Sequence, residues 1–423
     1  MRPETLCIHG GYRPGNGEPS ALPIFQSTTF KYNSTAEIAA LFDLKESGFF
    51  YSRLGNPTCD SVERKLAALE GGSGALLTSS GQAALLCAVL TLAHEGDHLL
   101  CSASVYGGTF NLLAVTLKRL GISTDFFDQR APDEELSKFI TPRTRLILGE
   151  TLANPALTVF DIARFAALAH RHHLPLLVDN TFATPILCRP IEYGADIVTH
   201  STTKYLDGHG IQVGGAIIDS GRRDWQLGGK FPEFTTPDPS YHGLVYSEAF
   251  GAQAFIVKAR AQMMRDLGAC QSAQGAFYLN LGIETLPLRI RQHSQNAQAL
   301  AEFFAKAPQV EKVCYPGLPD SPDHELARRY LPEGTSGVLS IILKGGRRAG
   351  AAFIDHVKLA YPEVHVADIR TCVLHPASST HRQLSEDQLM QAGISPGLIR
   401  ISAGLEHIDD LLEDFSAALK AAS

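Results

Sequence analysis

Between Ser73 and Ser201, short apolar runs rich in Leu, Ile and Val alternate with longer stretches of helical period. That alternation predicts βαβ units, and hence an α/β fold built on a mainly parallel sheet between helices. The predicted strands are Ala75–Thr78, His98–Cys101, Leu146–Glu150, Leu174–Asp179 and Asp196–His200, with a return strand near Val213–Asp219. The nearly apolar run Ala83–Ala93 is far shorter than the roughly 20 residues that cross a bilayer, so it reads as a core helix. Polar residues cluster just past the strands. Ser80, Tyr106, Asn154, Asp179 and Lys204 all fall at or after carboxyl ends, where open α/β sheets bind ligands.

The pattern changes on either side. Residues 1–55 form a glycine- and proline-rich arm that is not expected to fold alone. After about Leu267 long helical periods (Asn296–Ala307, Glu406–Ala421) and strands such as Gly337–Leu343 predict a smaller α+β domain. The expected division is an arm at 1–55, an α/β ligand-binding domain at 56–267 and an α+β domain at 268–423. The segment 222–251 carries Trp225, Phe231, Phe234, Tyr241 and Tyr246 without clear periodicity, and reads as a long ordered insertion near the site.

Composition narrows the class. With 423 residues the chain has length for about two or three domains. A net charge of −7 without like-charged blocks lacks the footprint of a nucleic-acid binder. The eight cysteines are scattered with no C-x-x-C pair, which predicts reduced, mostly buried thiols rather than a disulfide framework or zinc site, and no metal is expected. The first residues lack the apolar stretch of a signal peptide, so a cytoplasmic location is expected, without membrane partners.

Ser201-Thr202-Thr203-Lys204 follows the strand Asp196–His200 and precedes Gly208-His209-Gly210. A lysine at a strand end among hydroxyls can form a Schiff base with a carbonyl cofactor, while Ser201 and Thr203 donate to a phosphate. The plainer alternative is an exposed loop lysine. Asp179 ends an apolar strand, and a partly desolvated acid there calls for a positive partner such as a pyridinium nitrogen; a helix cap or metal ligand is the alternative. Gly81 and Gln82 open a helix after Ser80, so their N–H groups suit an anion. Tyr106, beside two glycines, can stack on a planar ligand or be a core tyrosine. Arg400, inside an apolar strand, needs an anion, either a substrate carboxylate or an internal acid. There is no nucleotide P-loop, and Gly208-His209-Gly210 precedes a strand rather than a helix, which disfavours a dinucleotide site.

Tyr51-Ser52-Arg53, Asn56-Pro57-Thr58, Ser80-Gly81, Tyr106-Gly107, Glu150 with Asn154-Pro155, Val178-Asp179-Asn180-Thr181, Ser201-Thr202-Thr203-Lys204 and Arg400-Ile401-Ser402 occur in this order. Together they resemble the cysteine and methionine metabolism family of pyridoxal-phosphate enzymes, over nearly the whole chain. The resemblance implies an aspartate-aminotransferase-like (fold type I) transferase fold and a homotetramer whose sites are completed by neighbours. It implies pyridoxal 5′-phosphate on Lys204, Asp179 at the ring nitrogen and Tyr106 stacked on the ring. Gly81, Gln82, Ser201 and Thr203 would bind phosphate, joined by Tyr51 and Arg53 from a neighbour's arm. Asn154 and Arg400 would hold the cofactor hydroxyl and the substrate carboxylate.

Within that family, Gln82, Gly108, the 222–251 insertion and His375-Pro376-Ala377-Ser378-Ser379-Thr380-His381-Arg382-Gln383-Leu384 are similar to the O-acetylhomoserine sulfhydrylases. Gln82 replaces the methionine usual in γ-lyases and cystathionine γ-synthases, and Gly108 replaces the reactive cysteine of methionine γ-lyase. This implies γ-replacement on O-acetyl-L-homoserine with sulfide, a thiol or a sulfur-carrier protein as donor. Methionine γ-lyase or cystathionine γ-synthase chemistry is the alternative. Where the family usually shows Gly-Asp-x-x-Ser-Leu, the chain reads Ala367-Asp368-Ile369-Arg370-Thr371-Cys372, which puts Thr371 at the substrate end.

Overall fold

A computed structural model describes all residues except 384, 392, 393 and 423; Leu384, the last residue of the 375–384 motif, therefore lies outside the described residues. The chain forms two compact units. The first comprises Met1–Thr151, Asp161–Thr181 and Arg189–Glu284, and the second Leu152–Phe160, Phe182–Cys188 and Thr285–Ser423.

The first unit is built on seven strands: β1 (Gly74–Thr78), β2 (His98–Ser102), β3 (Ser123–Phe127), β4 (Thr144–Glu150), β5 (Leu176–Asp179), β6 (Ile197–Ser201) and β7 (Gly215–Asp219). Their order is β1-β7-β6-β5-β4-β2-β3. Only β7 runs against its neighbours, so all the other strands point their carboxyl ends the same way. The strands are almost wholly buried, as expected of a sheet covered on both faces. Edge strand β3 escapes the sequence pattern because its residues are half exposed and polar (Ser123, Thr124, Asp125). The helix Gly81–Leu92 starts where Ser80 Oγ accepts from Ala83 N at 3.1 Å, and lies against β6 and β7.

The first half of the 222–251 segment lies away from the expected place. Lys230 Nζ donates to the carbonyls of Thr141, Pro142 and Thr144, and Arg223 Nη2 to that of His173. These acceptors lie just before or at the start of β4 and just before β5, so the first half of the insertion covers the amino ends of the strands, away from Lys204. The cause is hydrophobic. Trp225 stacks on Phe234 at 4.2 Å and on Phe255 at 5.9 Å, and meets Phe231 edge-on at 5.3 Å, within one buried cluster.

The second unit carries a five-stranded sheet in the order β10-β11-β12-β9-β8, where β8 is Val310–Cys314, β9 Val338–Leu343, β10 Tyr361–Pro362, β11 Cys372–Leu374 and β12 Leu398–Ser402. Phe304, Phe353 and Phe415 stack in its core. The helix predicted at 296–307 is the end of a 33-residue helix, Ala273–Ala305, that runs through Pro287. A proline normally interrupts a helical pattern, which is why the sequence pattern shows only the later part. Gly268 ends the short helix Arg265–Leu267 at φ +71°, and the first unit continues to Glu284.

Candidate active site

Gly81, Gln82, Tyr106, Asp179 and the turn Ser201–Lys204 lie at the carboxyl end of the first sheet. Thr78 and Ser201 both pair with Gly215, from opposite sides, which sets the turn after β1 beside the end of β6. The turn sits very close: a Cβ on Gly81 would lie 2.7 Å from Ser201 Cβ, and one on Gly215 2.1 Å from the Ser80 carbonyl oxygen. Glycine is required at both places by this approach. The N–H groups of Gly81 and Gln82 thus open a 12-residue helix next to the Ser201 side chain.

Lys204 is half-buried in the turn after β6, where its N–H donates to the Ser201 carbonyl at 3.2 Å and its carbonyl accepts from Gly208 N at 2.8 Å. The Thr203 hydroxyl accepts from Gly214 N at 3.1 Å and lies 3.2 Å from the Gly214 carbonyl oxygen, so it braces this turn. Asp207, fully buried, accepts from the N–H groups of His209 and Ile211 and shapes the glycine loop. Asp179 Oδ1 accepts from Thr181 N at 2.9 Å, and Thr181 Oγ1 accepts from Ser201 N at 2.8 Å. Burial pushes the Asp179 carboxyl above its ordinary range, opposed by the Thr181 hydrogen bonds and by positive charge on His200.

Tyr106 follows β2, with half of its surface exposed, and its N–H donates to Glu150 Oε1 at 2.6 Å. Gln82 reaches the same place: a Cβ on Gly108 would lie 2.4 Å from both Gln82 Nε2 and Tyr106 Cε1. Gln82 Oε1 is buried without a hydrogen-bond partner. Tyr51 and Arg53 sit together on the surface of the arm, the guanidinium 5.4 Å from the tyrosine ring centre and donating to the Arg265 carbonyl.

In the second unit, Arg400 Nη1 donates to Asn154 Oδ1 at 3.4 Å and Nη2 to the Val364 carbonyl at 2.9 Å. Thr371 differs from expectation. Its hydroxyl donates to Glu406 Oε2 at 2.7 Å and accepts from Gly404 N at 2.8 Å, and the residue has no exposed surface, so its hydroxyl is not presented to a substrate. Ala367, in place of the family's usual glycine, is buried at φ +68° with its N–H on Ser402 Oγ at 2.7 Å.

A profile of the Cys/Met metabolism PLP-dependent enzymes matches residues 4–420. The chain belongs to this family. Among curated relatives, the O-acetyl-L-homoserine sulfhydrylase of Leptospira meyeri is 44% identical, covering 99% of this chain and 97% of that protein. O-acetyl-L-homoserine sulfhydrylase 1 of Thermus thermophilus is 45% identical over 99% and 100%. Sulfhydrylase FUB7 of Fusarium oxysporum is 46% identical over 99% and 97%. A crystal structure of a Campylobacter jejuni protein described as an O-acetylhomoserine (thiol)-lyase, carrying N′-pyridoxyl-lysine-5′-monophosphate, superposes with a TM-score of 0.94 at 37% identity, covering 99% of this chain and all of that one.

As a PLP-dependent enzyme of the Cys/Met family the chain takes pyridoxal 5′-phosphate, and the first unit has the chemistry to hold it. A lysine follows in the turn from Ser201, which lies against helix N–H donors, a desolvated acid accepts hydrogen bonds from Thr181, and an aromatic ring is half exposed. Gln82 Oε1 adds a buried acceptor awaiting a donor. The sequence pattern drew attention to most of these groups. It gave no role to Thr181, which bridges Asp179 and Ser201, or to the buried residues Asn180 and His200, which the polar run at the end of each apolar strand marks, and it missed Glu70, at a helix end. Among the described residues no cluster of three or more His, Cys, Asp or Glu side chains is arranged to hold a metal, and no helix is long and apolar enough to cross a membrane.

Proposed function

We propose that this chain catalyses γ-replacement on O-acetyl-L-homoserine, in which sulfide or a small thiol displaces acetate to give homocysteine or methionine. The observation that carries the reading is full-length identity of 44–45% to proteins named O-acetyl-L-homoserine sulfhydrylase, in a chain with Lys204, Asp179 and Tyr106 at one end of one sheet.

Bound pyridoxal phosphate supplies a carbonyl for amine exchange and, with its ring nitrogen protonated, a sink for the electron pair left at Cα. Asp179 stabilises that proton by its charge, and its burial strengthens the interaction. The Gly81 and Gln82 N–H groups at the helix start, with the Ser201 and Thr203 hydroxyls, take the phosphate. Lys204 Nζ, released when the substrate amine takes its place, carries the proton away from Cα. A base in the site would take a Cβ proton as acetate leaves Cγ, sulfide or a thiol would add at Cγ as that proton returns to Cβ, and Lys204 would return the other proton to Cα. Tyr106 stacks against the ring and assists proton transfer with its hydroxyl. Arg400 and Asn154 take the substrate carboxylate, and Asn154 also the cofactor hydroxyl.

The reading extends to a cytoplasmic homotetramer in which Tyr51 and Arg53, side by side and exposed, reach the phosphate of a neighbouring copy. The sulfur donor is free sulfide, a small thiol or a carrier protein. Purified protein given O-acetylhomoserine with sulfide is expected to release homocysteine and acetate. Oxobutyrate from methionine alone, with no homocysteine in the first assay, would overturn the assignment in favour of a γ-lyase; cystathionine formed preferentially with cysteine would favour a synthase.

A further inference from the structure

One ion pair meets the arm at the turn that carries Tyr51 and Arg53. Arg260 Nη2 donates to Glu63 Oε2 at 2.6 Å, in the helix Pro57–Glu70, and Arg260 Nη1 donates to the Leu54 carbonyl at 3.0 Å. Nη2 also donates to the Ala75 carbonyl at 3.3 Å, and Glu63 Oε1 accepts from Leu77 N at 2.8 Å, so the pair is fixed on β1. Leu54 N donates to the Tyr51 carbonyl at 3.0 Å and closes a turn in which Tyr51 and Arg53 are exposed. Just beyond Arg260 in the chain, the Arg265 carbonyl accepts from Arg53 Nη1 at 2.6 Å.

Charge balance alone does not account for this arrangement. Glu63 is buried and needs a cation, which a lysine would supply as a point charge. The arginine fork does more, because one nitrogen neutralises Glu63 while the other binds a backbone carbonyl of the arm. The segment that carries Arg260 is adapted as well. Ala259–Met264 wind as a π turn, in which Arg265 N donates to the Arg260 carbonyl, where an α-helix would bring the N–H of Met264. Such turns recur at functional sites. Here the winding sets the Arg260 side chain and the Arg265 carbonyl against consecutive residues, Leu54 and Arg53, so the backbone and the side chain of the arm are held together.

We infer that Arg260 is a positioning residue for the site of a neighbouring copy: by fixing the Tyr51–Leu54 turn it aims Tyr51 and Arg53 at the cofactor phosphate held by that copy. The inference rests on the role proposed above for Tyr51 and Arg53. Arg260 acts through that pair, its own guanidinium being engaged on Glu63 and Leu54.

Arg260→Lys keeps the charge against Glu63 and gives up the fork. Its affinity for pyridoxal phosphate, read from the visible absorbance of bound cofactor, is compared with that for pyridoxal, which lacks the phosphate. Wild type and Arg53→Ala are measured alongside. The expected result is about tenfold weaker binding of pyridoxal phosphate, with pyridoxal within about twofold of wild type. Co-expression with an excess of Lys204→Ala subunits then separates the copies. The absorbance reports sites that contain Lys204, and most of these now take their arm from a subunit with Arg260 intact, so wild-type affinity is expected to return. Unchanged affinity, equal weakening of both ligands, or weakening that Lys204→Ala subunits do not relieve overturns the inference when Arg53→Ala is weakened and relieved in the same assays. If Arg53→Ala is not, the role of the arm falls and the inference with it. Should Arg260→Lys not fold, Glu63→Gln/Arg260→Met removes both charges, keeps an acceptor for Leu77 N, and is expected to show the same loss and the same relief.

Discussion

The two ends of the seven-stranded sheet treat their polar groups differently. At the amino ends several cations lie against partners, although Arg145 Nε and Arg223 Nε make no hydrogen bond: Arg145 Nε is 2.9 Å from Asp97, His170 is 2.9 Å from Asp196, and Lys230 and Arg223 donate to loop carbonyls. At the carboxyl ends Asp179 is desolvated with hydrogen bonds from Thr181, Gln82 Oε1 has no partner, Tyr106 is half exposed, and glycines stand where side chains would collide. A structural end of a fold satisfies its own groups, whereas a functional end leaves them for a ligand. Glu233, beside Arg145 and Lys258, departs from this: burial pushes its carboxyl up to about 7 and its Oε1 lacks a hydrogen-bond partner. Asp219 departs from it too. Because β7 runs the other way, this acid belongs to the amino side, yet burial pushes its carboxyl up to about 7 and one of its oxygens lacks a partner.

The largest expected effect is at the functional end. Lys204→Ala should lower turnover by about a thousandfold or more and remove the visible absorbance of bound cofactor, with the thermal midpoint little changed; retained absorbance would break the comparison at its centre. Asp179→Asn should cost about a hundredfold in kcat while leaving the cofactor-free fold at least as stable. The sign follows from the raised carboxyl. The folded state prefers the protonated acid, so cofactor-free wild type loses stability as pH rises from the ordinary carboxylate range through the folded pKa, and the asparagine variant lacks that part of the slope. Denaturant midpoints of the two proteins across pH measure it.

Trp225→Ala tests the other end. It removes a fully packed indole and should destabilise by about 3–5 kcal/mol, while the folded fraction keeps the wild-type kcat and KM. A lost kcat in folded protein would tie the insertion to the site. Gly108→Ala should push Gln82 or the Tyr106 ring aside and lower kcat/KM for O-acetylhomoserine by about tenfold without lowering the melting temperature. Smallest is Ala367→Gly in the second unit, which relieves a left-handed residue and should stabilise by about 1 kcal/mol, read from denaturant titration.

Most of the first sheet was legible because its strands are buried on both faces and read as continuous apolar runs. Edge strand β3 and the full length of Ala273–Ala305 were not, since half-exposed polar residues and an internal proline erase the periodic signal. Gly81 was readable as a helix-opening residue suited to an anion; that Ser201 crowds it was not. Thr371 misled because a hydroxyl in a substrate-side motif says nothing of Glu406, 35 residues later, which accepts its hydrogen bond.

The sequence by itself determined which residues carry chemistry: a lysine, an acid and hydroxyls at strand ends, and a family pattern running the length of the chain. Strand period and end position are local properties, and local order is enough to read them. Tertiary structure alone decided which groups are satisfied and which wait. The reversed β7 brings Ser80 to Ser201, the first half of the aromatic insertion turns to the far end of the sheet, and Glu70 meets His200 across 130 residues of chain. Burial and partnership depend on groups distant in sequence, and no local pattern reports them.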